Sequence, residues 1–298
     1  MSLNNPAPSG SQESVMVSRR SQFGEIVGRL LKNQAVVVGF FIIALFVLCA
    51  LFPAQIAPYG YDDQNLSKQF VKPCAEHWFG TDDYGRDIFS RIVYGSRISL
   101  SIGLVSISFS CVLGVLIGCA AGYYGSVLEN TLMRLMDIML AMPSILLAIA
   151  IVSALGAGLR NLVIAIGIST IPQYARIVRA SVLSVKDQEF IEAARCIGAN
   201  DWRILMKHIL PNCMAPIIVQ ATMNIAIAIL SAASLSFIGL GIAPPTPEWG
   251  AMLSSGRAYL RDHWFIVAFP GVAIMLSVFA FNLFGDGLRD ALDPRLKS

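Results

Sequence analysis

Charge is what this chain has least of. Asp, Glu, Lys and Arg make up 14% of its 298 residues, against about 25% in an ordinary soluble domain. With 55% hydrophobic residues and a mean hydropathy of +0.65, that shortage excludes a soluble globule and leaves a polytopic membrane protein. Catalytic signatures are missing too. There is no GxxxxGK(S/T) phosphate loop, no HExxH and no CxxC pair, and His77, His208 and His263 lie far apart, so no nucleotide, zinc or dithiol chemistry is written into the chain. Asp82, Asp83 and Asp87 lack the alternating ligands and terminal glutamate of a calcium loop, and no metal is expected there. The net charge of +3 is dispersed, with no basic run suited to nucleic acid. Of the six cysteines, Cys49, Cys111, Cys119 and Cys213 fall in or beside apolar runs. Cys74 is the one clear candidate for the outer face, so no disulfide framework is expected.

What is present is a series of uncharged runs, over 33–61, 98–128, 138–159, 208–247 and 263–285. Each is long enough for a helix of about 20 residues to cross the hydrocarbon core. A sixth, 161–175, continues its apolar pattern past Arg176 and Arg179 to Val185, because arginines near a helix end can snorkel to the headgroups. The run after His208 is read as one span, since nothing between Ile217 and Leu235 resembles a turn. The expected fold is therefore all-α with six transmembrane helices and both termini on one side. About 14 of the Lys and Arg residues fall on that side and about 8 on the other, which favours cytoplasmic termini. The start of the chain resembles a signal peptide in its charge pattern, but Gln55 three residues before a possible cleavage point makes a poor site, and an uncleaved first span is expected.

The chain divides into an N-terminal tail with an amphipathic helix (1–32, the helix around 23–31) and a membrane domain (33–298). The latter carries an external segment (58–97), a cytoplasmic loop (186–211) and a second external segment (242–263). In the first segment Thr81 or Asp82 is expected to cap a helix lying on the outer interface, with Ile88, Phe89, Ile92 and Val93 on one side and Asp87 paired to Arg91. A small external fold without a functional role is an equal alternative. In the second, Thr246 is the expected N-cap and Pro247 the first helical residue, and Trp249 and Trp264 suit the interface. These two segments are the surfaces large enough to receive a delivering partner, and Asp82, Asp83, Arg86, Asp87, Glu248 and Trp249 are its candidate contacts. Pro143, Pro172, Pro216 and Pro270 interrupt helices, and Gln173, Gln220, Asn224 and Asn282 are polar at membrane depth. Gln220 and Asn224 are candidates for a translocation path, with helix-to-helix hydrogen bonding the plain alternative. Asp137 is expected to pair with Arg134 near the inner interface.

The loop 186–211 differs from an ordinary connection. Glu192, Ala193 and Ala194 begin a helical run ended by Gly198, which permits a left-handed turn, and Asp201 can cap a second helix leading to Leu210 and Pro211. Phe190, Ala193, Ala194 and Ile197 form a narrow face whose small centre allows close approach by a partner.

This pattern, EAA, three residues, Gly, then nine residues before I-x-L-P, resembles the cytoplasmic loop of the membrane subunits of bacterial ATP-binding-cassette (ABC) importers. Here His208 stands in the place of the Ile, with Ile209 one position later. HWFGTDDYGRDIFSRIVYGSRISL, SLSFIGLGIAPPTPEWGAML and FNLFGDGLRDALDPRLK narrow the resemblance to the C-type permeases of the dipeptide, oligopeptide and nickel branch, over about residues 30–297. The resemblance implies the type I importer fold, a bacterial inner-membrane location and a second permease as partner. It further implies two ATP-binding subunits that hold ATP and Mg while this chain holds no cofactor, and an extracytoplasmic binding protein. Short peptides are the cargo it favours, with nickel chelates or glutathione as alternatives. Glu192, Ala193, Ala194, Gly198, Leu210 and Pro211 would then couple to the ATPase. The rivals from other classes are a self-contained channel or secondary transporter, which the chain's lack of clear intramembrane carboxylate relays disfavours, and an intramembrane enzyme, for which no nucleophile and base pair is evident.

Overall fold

The computed structural model describes residues 19–292, and within them the chain is helical. The sole strand-like pairing among the described residues is an isolated bridge between Thr81 and Asp87. Helix α1 (Arg19–Lys32) contains the expected amphipathic helix; the tail before it lies outside the described residues. Asn33 caps α2 (Gln34–Leu51), and the short α3 (Pro53–Ile56) follows. After an irregular segment comes α4 (Ile88–Tyr124), whose 37 residues span about 55 Å and so overshoot a hydrocarbon layer of about 30 Å. Next are α5 (Ser126–Leu140), α6 (Ser144–Leu155) and α7 (Leu159–Val185). The chain then passes through α8 (Glu189–Cys196), α9 (Asp201–Ile204) and a five-residue π turn into α10 (Leu210–Phe237). Helices α11 (Trp249–Gly256) and α12 (Phe265–Leu292) complete it.

Among the described residues five helices are long and apolar enough to cross a membrane: α2, α4, α7, Asp201–Phe237 and α12. The crossing expected over 138–159 is not one straight helix. It is the pair α5 and α6, bent by 88°. Pro143 sits at the bend; it has no N–H for the α ladder and disfavours helical backbone at Met142. Pro172, Pro216 and Pro270 stay inside α7, α10 and α12, where neighbouring helices tolerate the lost bond.

Polarity sets each helix's place in the bundle. The most apolar stretch of α2 is 17% buried, whereas that of α7, the more polar helix, is 61% buried. The greasier helix is peripheral and the more polar one central, as expected where the surroundings are apolar. The most extensive packing joins α4 to α7. It runs along Gly114, Gly118 and Gly122, where an added Cβ would lie 2.3 Å from Tyr174 Cβ, 2.6 Å from the Ala175 carbonyl and 2.8 Å from Val182 Cβ. Small residues four apart let the two backbones approach closely.

The bundle has two chemically distinct ends. At one, residues 58–87 and 238–264 fold over α4, α10 and α12 around a core that includes Ile88, Ile92, Trp249 and Phe265. At the other, α8 and α9 close over the ends of α4, α7 and α10. Arg179 Nε donates to Glu129 at 2.7 Å and Arg176 to Asp137 at 2.6 Å, tying α5 to α7. Asp137 thus pairs across helices and not with Arg134, its neighbour three residues away.

Candidate functional site

The loop between α7 and α10 has one face locked and one face free. Helix α8 ends as the sequence requires. Gly198 has φ +80°, its N–H donates to the Arg195 carbonyl, and the Ala199 N–H donates to the Ala194 carbonyl, which is a Schellman turn. No atom lies within 4 Å of a Cβ added at Gly198, so glycine is needed there for its backbone and not for space. Asn200, and not the expected Asp201, caps α9, its Oδ1 accepting from the Arg203 N–H at 2.9 Å. Asp201 sits in the first turn. The π turn over 205–209 holds one more residue than an α turn and absorbs the one-residue offset noted above. Ile209 faces inward, fully buried, and His208 is only half-buried.

On the locked face, Ile191, Ala194, Ile204 and Ile209 pack with Val178, Val182 and Val185 of α7 and with Cys213 and Ile217 of α10. Each fully buried isoleucine contributes about 2 kcal/mol. Ala194 therefore does not belong to the outward face assigned to it from the sequence. It lies on the buried side, and only a small residue suits that close packing. The free face consists of Phe190, Ala193 and Ile197, spaced i, i+3 and i+7, with Glu192 and Arg195 beside them and Trp202 of α9 next in the chain. Ile197 is 85% exposed and Trp202 67%, an unusual display of large apolar groups on polar helices. Leu210 is half-buried against the same core and Pro211 is exposed at the start of α10.

Of the candidate path residues, Gln220 Nε2 donates to Asn224 Oδ1 at 3.0 Å and Asn224 Nδ2 to Gln173 Oε1 at 3.3 Å. The chain of amides joins α10 to α7, so for Asn224, which is buried, the structure displays the helix-to-helix role. Gln220 also lines a cavity of about 480 Å³ with Ile177, Pro216, Val219, Met223 and Arg289.

At the opposite end the structure corrects several expectations. Helix α4 is capped by Asp87, whose Oδ2 accepts from the Ser90 N–H at 2.8 Å, and it runs on without a break, so no separate interfacial helix begins at Thr81 or Asp82. Asp82 instead holds the preceding turn, accepting from the Tyr84 and Arg86 N–H groups at 2.9 and 3.0 Å and from Arg86 Nε at 2.7 Å. Arg91 does not pair with Asp87; it donates to the Tyr61 carbonyl at 2.8 Å and lies 3.7 Å from Asp82. Asp87 pairs with His77 at 3.0 Å. Helix α11 is capped by Glu248, not Thr246, its two oxygens accepting from the Gly250 and Ala251 N–H groups at 2.8 Å each. Burial raises the Glu248 pKa, partly offset by these N–H groups. Burial, and then the charge of Asp82, raises that of Asp83. Trp249 is 0% exposed; its Nε1 donates to the Ile92 carbonyl at 3.1 Å and its ring lies 5.3 Å from Phe46. It is a core residue, whereas Trp264 is exposed. Asp82, Arg86, Asp87, Glu248 and Trp249, expected as partner contacts, thus face into their own chain, and of the six only Asp83 is partly open.

Helices that cross an apolar layer, one structured loop with a free apolar face, and a capped structure at the far end define a transport permease subunit. The chain belongs to the family of binding-protein-dependent transport system inner membrane components, which matches residues 114–298. Residues 21–73 match the N-terminal TM domain of oligopeptide transport permease C. Among relatives, the dipeptide transport system permease protein DppC of Alkalihalophilus pseudofirmus is 48% identical, over 99% of this chain and 97% of that one. The glutathione transport system permease protein GsiD of Pectobacterium atrosepticum is 44% identical, over 94% of each. Among solved structures, the inward-facing MetNI methionine ABC transporter matches with TM-score 0.56 at 21% identity, covering 69% of this chain and 98% of that one, which shows a shared fold. The chain is a multi-pass membrane permease of the ABC importer class.

Proposed function

We propose that this chain is one of two permease subunits of a peptide importer in the bacterial inner membrane, with its termini and the loop 186–211 in the cytoplasm. The loop docks in a groove of an ATP-binding subunit. ATP and Mg are held by the two such subunits and not by this chain, which has no ATPase site of its own. The observation that carries this reading is the two-faced loop: Phe190, Ala193, Ile197 and Trp202 are presented outward while Ile191, Ala194, Ile204 and Ile209 anchor the same helices in the bundle. A surface of that kind transmits a push only if something grips it. Closure of the ATPase dimer would displace α8 and α9, and the spans would switch a central cavity formed with the second permease between outward and inward access. An extracytoplasmic binding protein would deliver cargo to the opposite end. Gln220, on the cavity beside Arg289, would line the path.

Short peptides are favoured as cargo by the dipeptide relative, with glutathione, itself a modified tripeptide, the second choice from the GsiD relative. The test is reconstitution of the chain with the partner permease, both ATPases and the binding protein in proteoliposomes. ATP-driven uptake of a labelled dipeptide, competed by other dipeptides more than by glutathione or a nickel chelate, is the expected result. Uptake by this chain alone without ATP would instead establish a channel or secondary transporter.

A further inference from the structure

The loop 186–211 is covalently continuous with α7 and α10, but not with the 37-residue α4. Its polar links to α4 gather on the helix's last turn. Lys186 Nζ, at the start of the loop, donates to the Gly122 carbonyl at 3.2 Å. Asp201 Oδ1, at the start of α9, accepts from the Tyr123 hydroxyl at 2.8 Å. The Arg195 guanidinium, on α8, lies 5.7 Å from the centre of the Tyr123 ring, within reach of a cation–π contact. The start of the loop and both of its helices thus converge on two adjacent residues. Tyr123 also packs against the buried cluster that holds α8 and α9 down. Immediately above it, the Gly114, Gly118 and Gly122 seam fits α4 against α7.

We propose that Tyr123 is a positioning residue that carries displacement of the loop into α4, so that α4, α7 and the loop turn as one body. The inference rests on the proposed docking function. Its physical content is directional: the apolar cluster beneath holds the loop down, whereas a hydroxyl bonded to a carboxylate, with a guanidinium over the same ring, fixes how the loop is oriented on α4. Tyr123→Phe removes the hydroxyl and keeps the ring, and Asp201→Ala removes the acceptor from an exposed position, so neither disturbs the core.

The measurement is the number of dipeptides imported per ATP hydrolysed by the complete reconstituted complex. Each variant is expected to lower that ratio about fivefold, with ATP hydrolysis within about twofold of the unaltered complex. The double variant should fall no further than either single one, because both remove the same bond. An unchanged ratio in both variants, with normal uptake by the unaltered complex, overturns the inference alone. Hydrolysis and uptake falling in proportion would mark Tyr123 as merely structural and overturn it as well. Absence of ATP-driven uptake by the unaltered complex overturns the docking function and this inference together.

Discussion

The loop 186–211 turns its charges outward, with Glu192, Arg195 and Arg203 exposed, whereas the segment leading into α4 turns them inward: Asp82, Arg86, Asp87 and Arg91 are between 3% and 6% exposed. Both regions are polar interruptions of an apolar chain, and sequence alone gives them similar weight. In the first, apolar side chains anchor the helices and leave charges and an apolar strip free. In the second, charges are used internally to fix a turn and cap a helix, a costly arrangement unless every group has its partner. A charged cluster in a membrane protein can therefore be a surface or a scaffold, and burial decides which.

Removing charges from each region should give opposite results. Asp82→Ala would take from the buried Arg86 its carboxylate at 2.7 Å, leaving Asp83 at 3.7 Å, and from Arg91 the carboxylate 3.7 Å away, and is expected to cost about 3 kcal/mol, read as a large drop in the Tm of the detergent-purified chain. Glu192→Ala should change that Tm by no more than about 0.5 kcal/mol in equivalent stability. A comparable Tm drop in both would break the contrast. Gly198→Val comes next: with φ +80° it strains the backbone by about 1–2 kcal/mol, which should appear as faster proteolysis at 196–200 while the bundle remains protected. Smaller still is a pH effect. Burial raises the Glu248 pKa in the folded chain, so the folded state favours the protonated acid. The resulting stability is present at low pH and is lost as pH rises through the raised pKa. Glu248→Gln should flatten that slope in a Tm series across the carboxylate range. Smallest is Lys68→Ala: the hydrogen bond with Glu76 raises the Lys68 pKa and lowers that of Glu76, but both are solvent-exposed and no detectable Tm change is expected.

The spans, the polar loop and its Gly198 turn were legible because each rests on local chemistry: a run of apolar residues, a glycine where φ is positive, an Ala-rich helix start. What was not legible depends on partners remote in the chain. Asp137 meets Arg176, 39 residues away, and not Arg134. Trp249 could satisfy its ring and N–H either at a membrane interface or in a core, and it lies in the core, where its N–H reaches the Ile92 carbonyl, 157 residues earlier. Asp82, Asp87 and Thr81 are all good caps by type; the left-handed Gly85 and the hydrogen bonds to Asp82 place the helix start after Asp87. Two local signals went unread: the spacing of four in Gly114, Gly118 and Gly122 of α4, and Asn200 as a competing cap beside Asp201. Tyr123, by contrast, carried no local signal that it would meet the loop 78 residues later.

The measurement that reaches the centre of this account is ATP-driven dipeptide uptake by the reconstituted complex carrying Glu192→Arg, made together with the Tm of the altered chain. If the free face of α8 is where ATPase motion enters, uptake falls at least about tenfold, equivalent to about 1.4 kcal/mol of docking free energy, while Tm is unchanged. Uptake at the unaltered rate would contradict it.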